Sequence, residues 1–218
     1  IRAVGVAALI TLGPSSARAD LPGVDMRTFR ASTDPNAGLT VEPTTTPGHL
    51  LWNAGGWLNY ANAPVVLYDA RTGTAALRPV QHTIGLDLTL GLGLGKRAAV
   101  GANLPLLLFQ DGSTLPATVS TTGKLPTTGI ADVGLSGKVA LVPNEQGGFG
   151  VAAHALVSLP TGDPSSFAGD GSLTTTAKII GEYSLMIAAI QASVGYKVRT
   201  ERHRFPDASA GGIVFGDE

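Results

Sequence analysis

The chain contains no cysteine. That excludes a disulfide framework and thiolate metal sites, and is compatible with export. Charged residues make up only 14%, below the quarter or so usual for soluble domains. The formal net charge is -1, so neither nucleic acid nor an acidic surface is implied as a partner. The body of the chain has no long apolar run, although hydrophobic residues make up 44%. Apolar residues are therefore dispersed along the chain and not gathered into membrane helices.

What is present is alternation. From Val80 to Leu94 the even positions are Val80, His82, Ile84, Leu86, Leu88, Leu90, Leu92 and Leu94. The odd positions are Gln81, Thr83, Gly85, Asp87, Thr89, Gly91 and Gly93. One face is large and apolar and the other small or polar, a period of two that specifies a strand with unlike faces. A strand crossing a bilayer on a tilt needs about 9–11 residues, with apolar side chains outward and small polar ones inward. The 29 glycines suit tight turns and a crowded lumen. The expected fold is all-β, an antiparallel up-and-down transmembrane β-barrel of about eight strands.

The chain divides into three parts. Residues 1–19 read as a signal-peptide helix: Arg2 is basic, Ala3 to Leu12 is apolar, and Ala17-Arg18-Ala19 is a small-x-small cleavage site before Asp20. The chain does not begin with Met, so it is expected to start inside a longer reading frame. Residues 20–48 lack a lasting period and read as an extended leader or loop ahead of the barrel. Residues 49–218 are the barrel, expected to be incomplete at the carboxy terminus.

Strand candidates follow one another through the third part. Leu50 to Tyr60 is the first, with Trp57 breaking the outward pattern by pointing inward. From Trp52 to Tyr60 the separation is roughly 20 Å along the membrane normal, which suits two aromatic girdles. Phe149, Tyr183 and Tyr196 are the other girdle candidates. A loop of roughly eighteen residues should precede Val80. Gly95-Lys96 should form a tight turn. Arg97 to Leu108 is the third strand, with Pro105 at the rim or in a bulge that turns Phe109 outward. Ile130–Val142, Phe149–Leu159, Leu173–Leu185 and Ile187–Arg199 continue the series, and an eighth strand begins near Gly212. Connections alternate long and short, as in outer-membrane barrels with short periplasmic turns and longer outer loops.

At this point several phrases resemble a known family. They are Arg27-Thr28-Phe29-Arg30, Tyr60-Ala61-Asn62-Ala63-Pro64-Val65-Val66 and Gly129-Ile130-Ala131-Asp132-Val133. Leu159-Pro160-Thr161-Gly162-Asp163 and Phe167-Ala168-Gly169-Asp170-Gly171 complete the set. Together they resemble the amino-terminal barrel of large OmpA-family outer-membrane proteins of delta-proteobacteria. There a barrel precedes calcium-binding thrombospondin type 3 repeats and a peptidoglycan-binding OmpA-like domain. The resemblance spans most of Asp20 to Glu218. It implies a Gram-negative outer-membrane location, with lipid and the barrel-assembly machinery as partners, and peptidoglycan through a carboxy-terminal domain that this chain does not contain. The chain also departs from the family in lacking the repeats, a full eighth strand and a terminal aromatic.

The inward face is expected to carry Asp87, Arg97, Asp132, Lys138, His154, Lys178, Glu182, Lys197 and Arg199. These could line a water-filled pore and set its selectivity. They could equally close the lumen as a salt-bridge network, since charges inside need partners. His154, Ser158 and Asp87 have the residue types of a triad, but no nucleophile elbow is present and Gly134-Leu135-Ser136-Gly137 lacks the spacing. No enzyme activity is expected. Gly91-Leu92-Gly93-Leu94-Gly95-Lys96 fits no phosphate-loop spacing. Asp163 and Asp170 offer oxygen ligands without the acidic spacing of a calcium loop. His49, His82, His154 and His203 show no metal-ligand spacing. No cofactor, metal or nucleic acid is expected. The functions in view are a structural anchor or porin-like channel for small solutes, or a surface interaction protein using its Thr- and Ser-rich outer loops. A soluble exported β-sandwich would require the apolar faces to bury one another.

Overall fold

The computed structural model describes residues 25, 27, 29–37, 41–68, 75–114, 125–144, 147–185, 187–200, 203–205 and 213–215. The expected signal peptide, 1–19, lies outside them. Among the described residues ten strands are present: β1 (Trp52–Tyr68), β2 (Ala75–Leu94), β3 (Ala98–Asp111), β4 (Gly129–Ile130), β5 (Val133–Val142), β6 (Gly148–Leu159), β7 (Thr174–Ser184), β8 (Ala189–Arg199), β9 (His203–Phe205) and β10 (Ile213–Phe215). The first eight form one antiparallel sheet in the order β1-β2-β3-β5-β6-β7-β8, with β4 also paired to β3. This meander curls into a half-barrel with β1 and β8 at its ends. Among the described residues β9 and β10 pair with each other and not with this sheet, so a short separate hairpin stands where an eighth strand was expected to begin.

Alternation decides which residue goes where. In β2, Asp87 and Thr89 are 2% and 3% exposed, while Leu88 and Leu90 are 40% and 58% exposed. In β8, at the edge of the sheet, Ile190, Val194, Tyr196 and Val198 are exposed, while inward Gln191 and Lys197 are half-buried and Arg199 is buried. The sheet is thus apolar on its exposed convex side and polar on its buried concave side. Among the described residues no second layer covers the convex face.

Two details depart from the sequence reading. The loop expected before Val80 is mostly strand: β1 and β2 run on to Tyr68 and back from Ala75. Pairing continues past Pro64 through register shifts between Asn62 and Tyr68. Val80, which strict alternation puts outside, is buried there. The second concerns Pro105. It lies inside β3, opposite Asp87, and the bulge falls between Ile84 and Gly85 of β2, opposite Leu107 to Phe109. Both Leu108 and Phe109 are exposed there, as a bulge requires. Having no N–H, Pro105 breaks the ladder to the next strand. Its carbonyl still accepts from the Ala131 N–H at 3.0 Å, and the partner strand is divided into β4 and β5 at Ala131-Asp132.

The short connections lie at one end of the sheet and the long ones at the other. Gly95, with φ of 72°, opens the β2–β3 turn through Arg97. A positive φ costs glycine little, which is why it stands there.

Candidate functional site

The leader occupies part of the concave face. The described residues of the stretch expected to run ahead of the barrel instead lie on the concave side of the half-barrel, Asp25 towards the loop end and Leu50 at the turn end. There Leu50 N–H donates to Gly93 O and Gly93 N–H to Leu51 O, each at 2.9 Å.

Small inward residues make room for it. A Cβ on Gly91 would overlap the Thr33 carbonyl, and on Gly93 the Gly48 carbonyl. On Gly101 it would overlap the Thr33 side chain, and on Gly150 that of Thr44. The glycines of the inward face are therefore a bed for a second length of backbone. Thr33 is fixed across this bed: Asn53 Nδ2 donates to its carbonyl at 3.1 Å, and its hydroxyl meets Ser136 Oγ at 3.1 Å.

Polar contacts then pair the leader with the wall. Lys138 Nζ donates to Asp34 Oδ2, to Pro43 O at 3.1 Å and to Thr45 O at 2.7 Å. Glu42 Oε1 lies 3.4 Å from His154 Nε2 and 3.9 Å from Lys178 Nζ. Glu182 Oε2 accepts from the Thr44 N–H at 2.9 Å and the Thr44 hydroxyl at 3.2 Å. Near the loop end, Arg27 and Arg30 each reach Asp25 Oδ2 at 2.8 Å, and Arg27 lies 3.6 Å from Asp87. Phe29 packs on Trp57 with ring centroids 6.2 Å apart, so the inward turn of Trp57 serves the leader.

The β6–β7 connection closes the same end. Ser166, Phe167, Ala168 and Asp170 are buried. Asp132 accepts from the N–H groups of Gly162 at 2.9 Å and Asp170 at 2.7 Å, and Gln110 Nε2 donates to Ser166 O at 2.9 Å. Asp170 joins loop, leader and wall: it accepts from the Asp25 N–H at 3.0 Å and faces Lys197 at 2.8 Å and Arg199 at 3.7 Å. Two cations of β8 thus flank its carboxylate. Among the described residues no cluster of His, Asp or Glu could hold a metal ion.

Of the nine expected inward residues, Asp87, Asp132, Lys138, His154, Glu182 and Arg199 are buried and Lys178 and Lys197 half-buried on the concave side. Arg97 is the exception. It is exposed in the β2–β3 turn, because the turn takes three residues and the strand begins at Ala98. His154, Ser158 and Asp87 are not brought together: His154 faces Glu42, Ser158 Oγ accepts from Arg30 at 3.3 Å, and Asp87 accepts from Asn59 at 2.9 Å. The girdle candidates Trp52, Tyr60, Phe149, Tyr183 and Tyr196 are all at least 50% exposed on the convex face. Phe149 lies directly opposite Tyr183. Tyr60 Oη meets His82 Nδ1 at 2.9 Å.

The leader residues Asp25, Arg27, Arg30, Asp34, Glu42 and Thr44 are the ones that strand periodicity misses. Their signal was charge: acids spaced along a leader that precedes a wall rich in inward bases. Burial alone would raise the Asp25 carboxyl, but Arg27, by charge and hydrogen bonds, and Arg30 outweigh it and hold Asp25 below the ordinary carboxylate value. A carboxylate depressed in the folded state stabilises above its unfolded value of about 3.9 and loses that contribution as pH falls through the folded value. Asp25→Asn is therefore expected to destabilise the protein at neutral pH, with the difference from the parent shrinking as pH drops below about 4. Urea unfolding of both proteins across that range checks it; a difference constant with pH would contradict it.

A cavity of about 650 Å³ remains between the leader and the wall from β5 to β8, with Arg30, Glu42, Lys178, Ser193 and Lys197 among its lining. The arrangement can hold water and small polar solutes beside the leader. No family model matches this chain, and no curated protein matches it.

Proposed function

We propose that the chain is an outer-membrane β-barrel protein, an anchor or porin-like channel whose lumen is held closed by its own leader. The observation that supports this most is the inversion of polarity. Leu58, Leu90, Ile190 and Val194 are each at least 58% exposed, while Asp34, Asp87, Asp170 and Lys138 are at most 8% exposed. A water-soluble protein buries its large apolar side chains and exposes its charges. A barrel in lipid does the reverse, with an apolar band outside and a polar interior. The exposed aromatics fit the same reading: Trp52, Phe149 and Tyr183 lie near the turn end, and Tyr60, Phe109 and Tyr196 nearer the loop end, on either side of a Leu-, Val- and Ile-rich belt. Aromatic residues favour both interfaces of a bilayer.

Closure follows from pairing. The inward charges of the wall meet opposite charges or hydrogen-bonding groups, most of them on the leader or the β6–β7 loop. That favours the salt-bridge network over the open, water-lined pore. Expression with separation of membrane and soluble fractions tests the reading. The protein should sediment with membranes, resist carbonate or urea extraction, and need detergent to stay dispersed. A monodisperse protein in buffer without detergent would overturn it.

A further inference from the structure

Register places three inward bases in one line across adjacent strands. Lys138 of β5 pairs with His154 of β6, and His154 with Lys178 of β7. The line continues through Ala99 and Gly93 on one side and Gly195 on the other. The wall thus supplies two ammonium groups and an imidazole at one level and no carboxylate there. Glu182, on the same strand as Lys178, is engaged by Thr44, Asn144, Ser184 and Gln191. The acids that do meet this row come from the leader: Asp34 on Lys138, and Glu42 between His154 and Lys178.

We propose that this row is an anion-binding belt, and that Asp34 and Glu42 occupy it as built-in carboxylate ligands. When they withdraw, the belt takes small mono- or dicarboxylates or inorganic anions and makes the lumen anion-selective. Rings of basic side chains select anions in pores because each desolvated anion regains its lost hydration from fixed positive charge. The position suits this role. The row borders the cavity of about 650 Å³ through His154 and Lys178. The Lys178 ammonium is its least committed group, 24% exposed and 3.9 Å from Glu42.

The inference rests on the barrel reading above, and the test separates the two. The full chain carrying Asp34→Asn and Glu42→Gln is reconstituted in planar bilayers under a potassium chloride gradient. Insertion is checked independently by protease protection and β-type circular dichroism. Both changes keep side-chain shape, and Glu42→Gln alone serves as the milder variant if the pair folds poorly. The expected result is a current with a several-fold preference for chloride over potassium, reduced by millimolar glutarate. Adding Lys138→Gln and Lys178→Gln should abolish both the preference and the glutarate effect. An inserted variant that passes no current, or whose current is cation-selective or indifferent to glutarate, overturns the belt while leaving the barrel standing. Failure of the unaltered chain and of every variant to insert overturns the barrel reading itself, and the belt with it.

Discussion

Lys138→Met is expected to lower the stability of the protein by about 3–5 kcal/mol, the cost of breaking a buried ion pair from one side. Lys138 and Asp34 are each only 4% exposed. Methionine would keep the volume of the stem but leave the Asp34 carboxylate and the carbonyls of Pro43 and Thr45 without their donor. Exposed ion pairs are worth only about 0–1 kcal/mol, so the size of the loss reports whether the leader is truly docked. Asp34→Leu combined with Lys138→Met should recover much of it, since replacing both partners removes the stranded charge. Urea unfolding in lipid vesicles, run as a double-mutant cycle, measures both numbers. A loss within the range of an exposed pair would mean that the leader does not occupy the concave face.

The second large effect lies on the opposite side of the sheet. Leu90 is 58% exposed at the middle of the alternating stretch, with Ala54 and Ala102 as its cross-strand neighbours. If water covered it, Leu90→Arg would change stability by no more than about 0.5 kcal/mol, as most surface changes do. If hydrocarbon covers it, the same change costs about 2–4 kcal/mol near the bilayer midplane. The expected outcome is the larger value, with Leu94→Arg, near the turn end of the strand, costing less because the arginine reaches the interface. Equilibrium folding into vesicles reads both.

The convex face was legible because each of its strands repeats one rule. Leu88, Leu90 and Leu94 follow strict alternation, and the girdle residues come with it. Pro105 was misplaced: it pairs regularly opposite Asp87, and the irregularity that leaves Phe109 exposed lies further along β3, at Leu107 to Phe109. Arg97 went astray because alternation has no means of saying where a strand yields to its turn. The extent of the first hairpin was hidden because alternation lapses around Pro64 and Pro79, neither of which can donate to a ladder. Irregular pairing carries β1 and β2 past them. The leader was hidden for a different reason. A segment that pairs by side chains across long sequence distances, as Asp34 does with Lys138 and Thr44 with Glu182, has no period of its own. Its traces were the acids spaced along it and the run of inward glycines, whose smallness suits a second backbone as well as it suits a crowded lumen.

The central claim is that the exposed apolar face meets lipid. Nitroxide labels placed singly at Leu86, Asp87, Leu88, Thr89, Leu90, Leu92 and Leu94 in the vesicle-inserted protein test it most directly, read by collision with oxygen, which concentrates in hydrocarbon, and with a water-soluble nickel chelate. Collision with oxygen should rise at Leu86, Leu88, Leu90, Leu92 and Leu94 and fall at Asp87 and Thr89. High collision with the nickel chelate at the leucine positions would contradict the account.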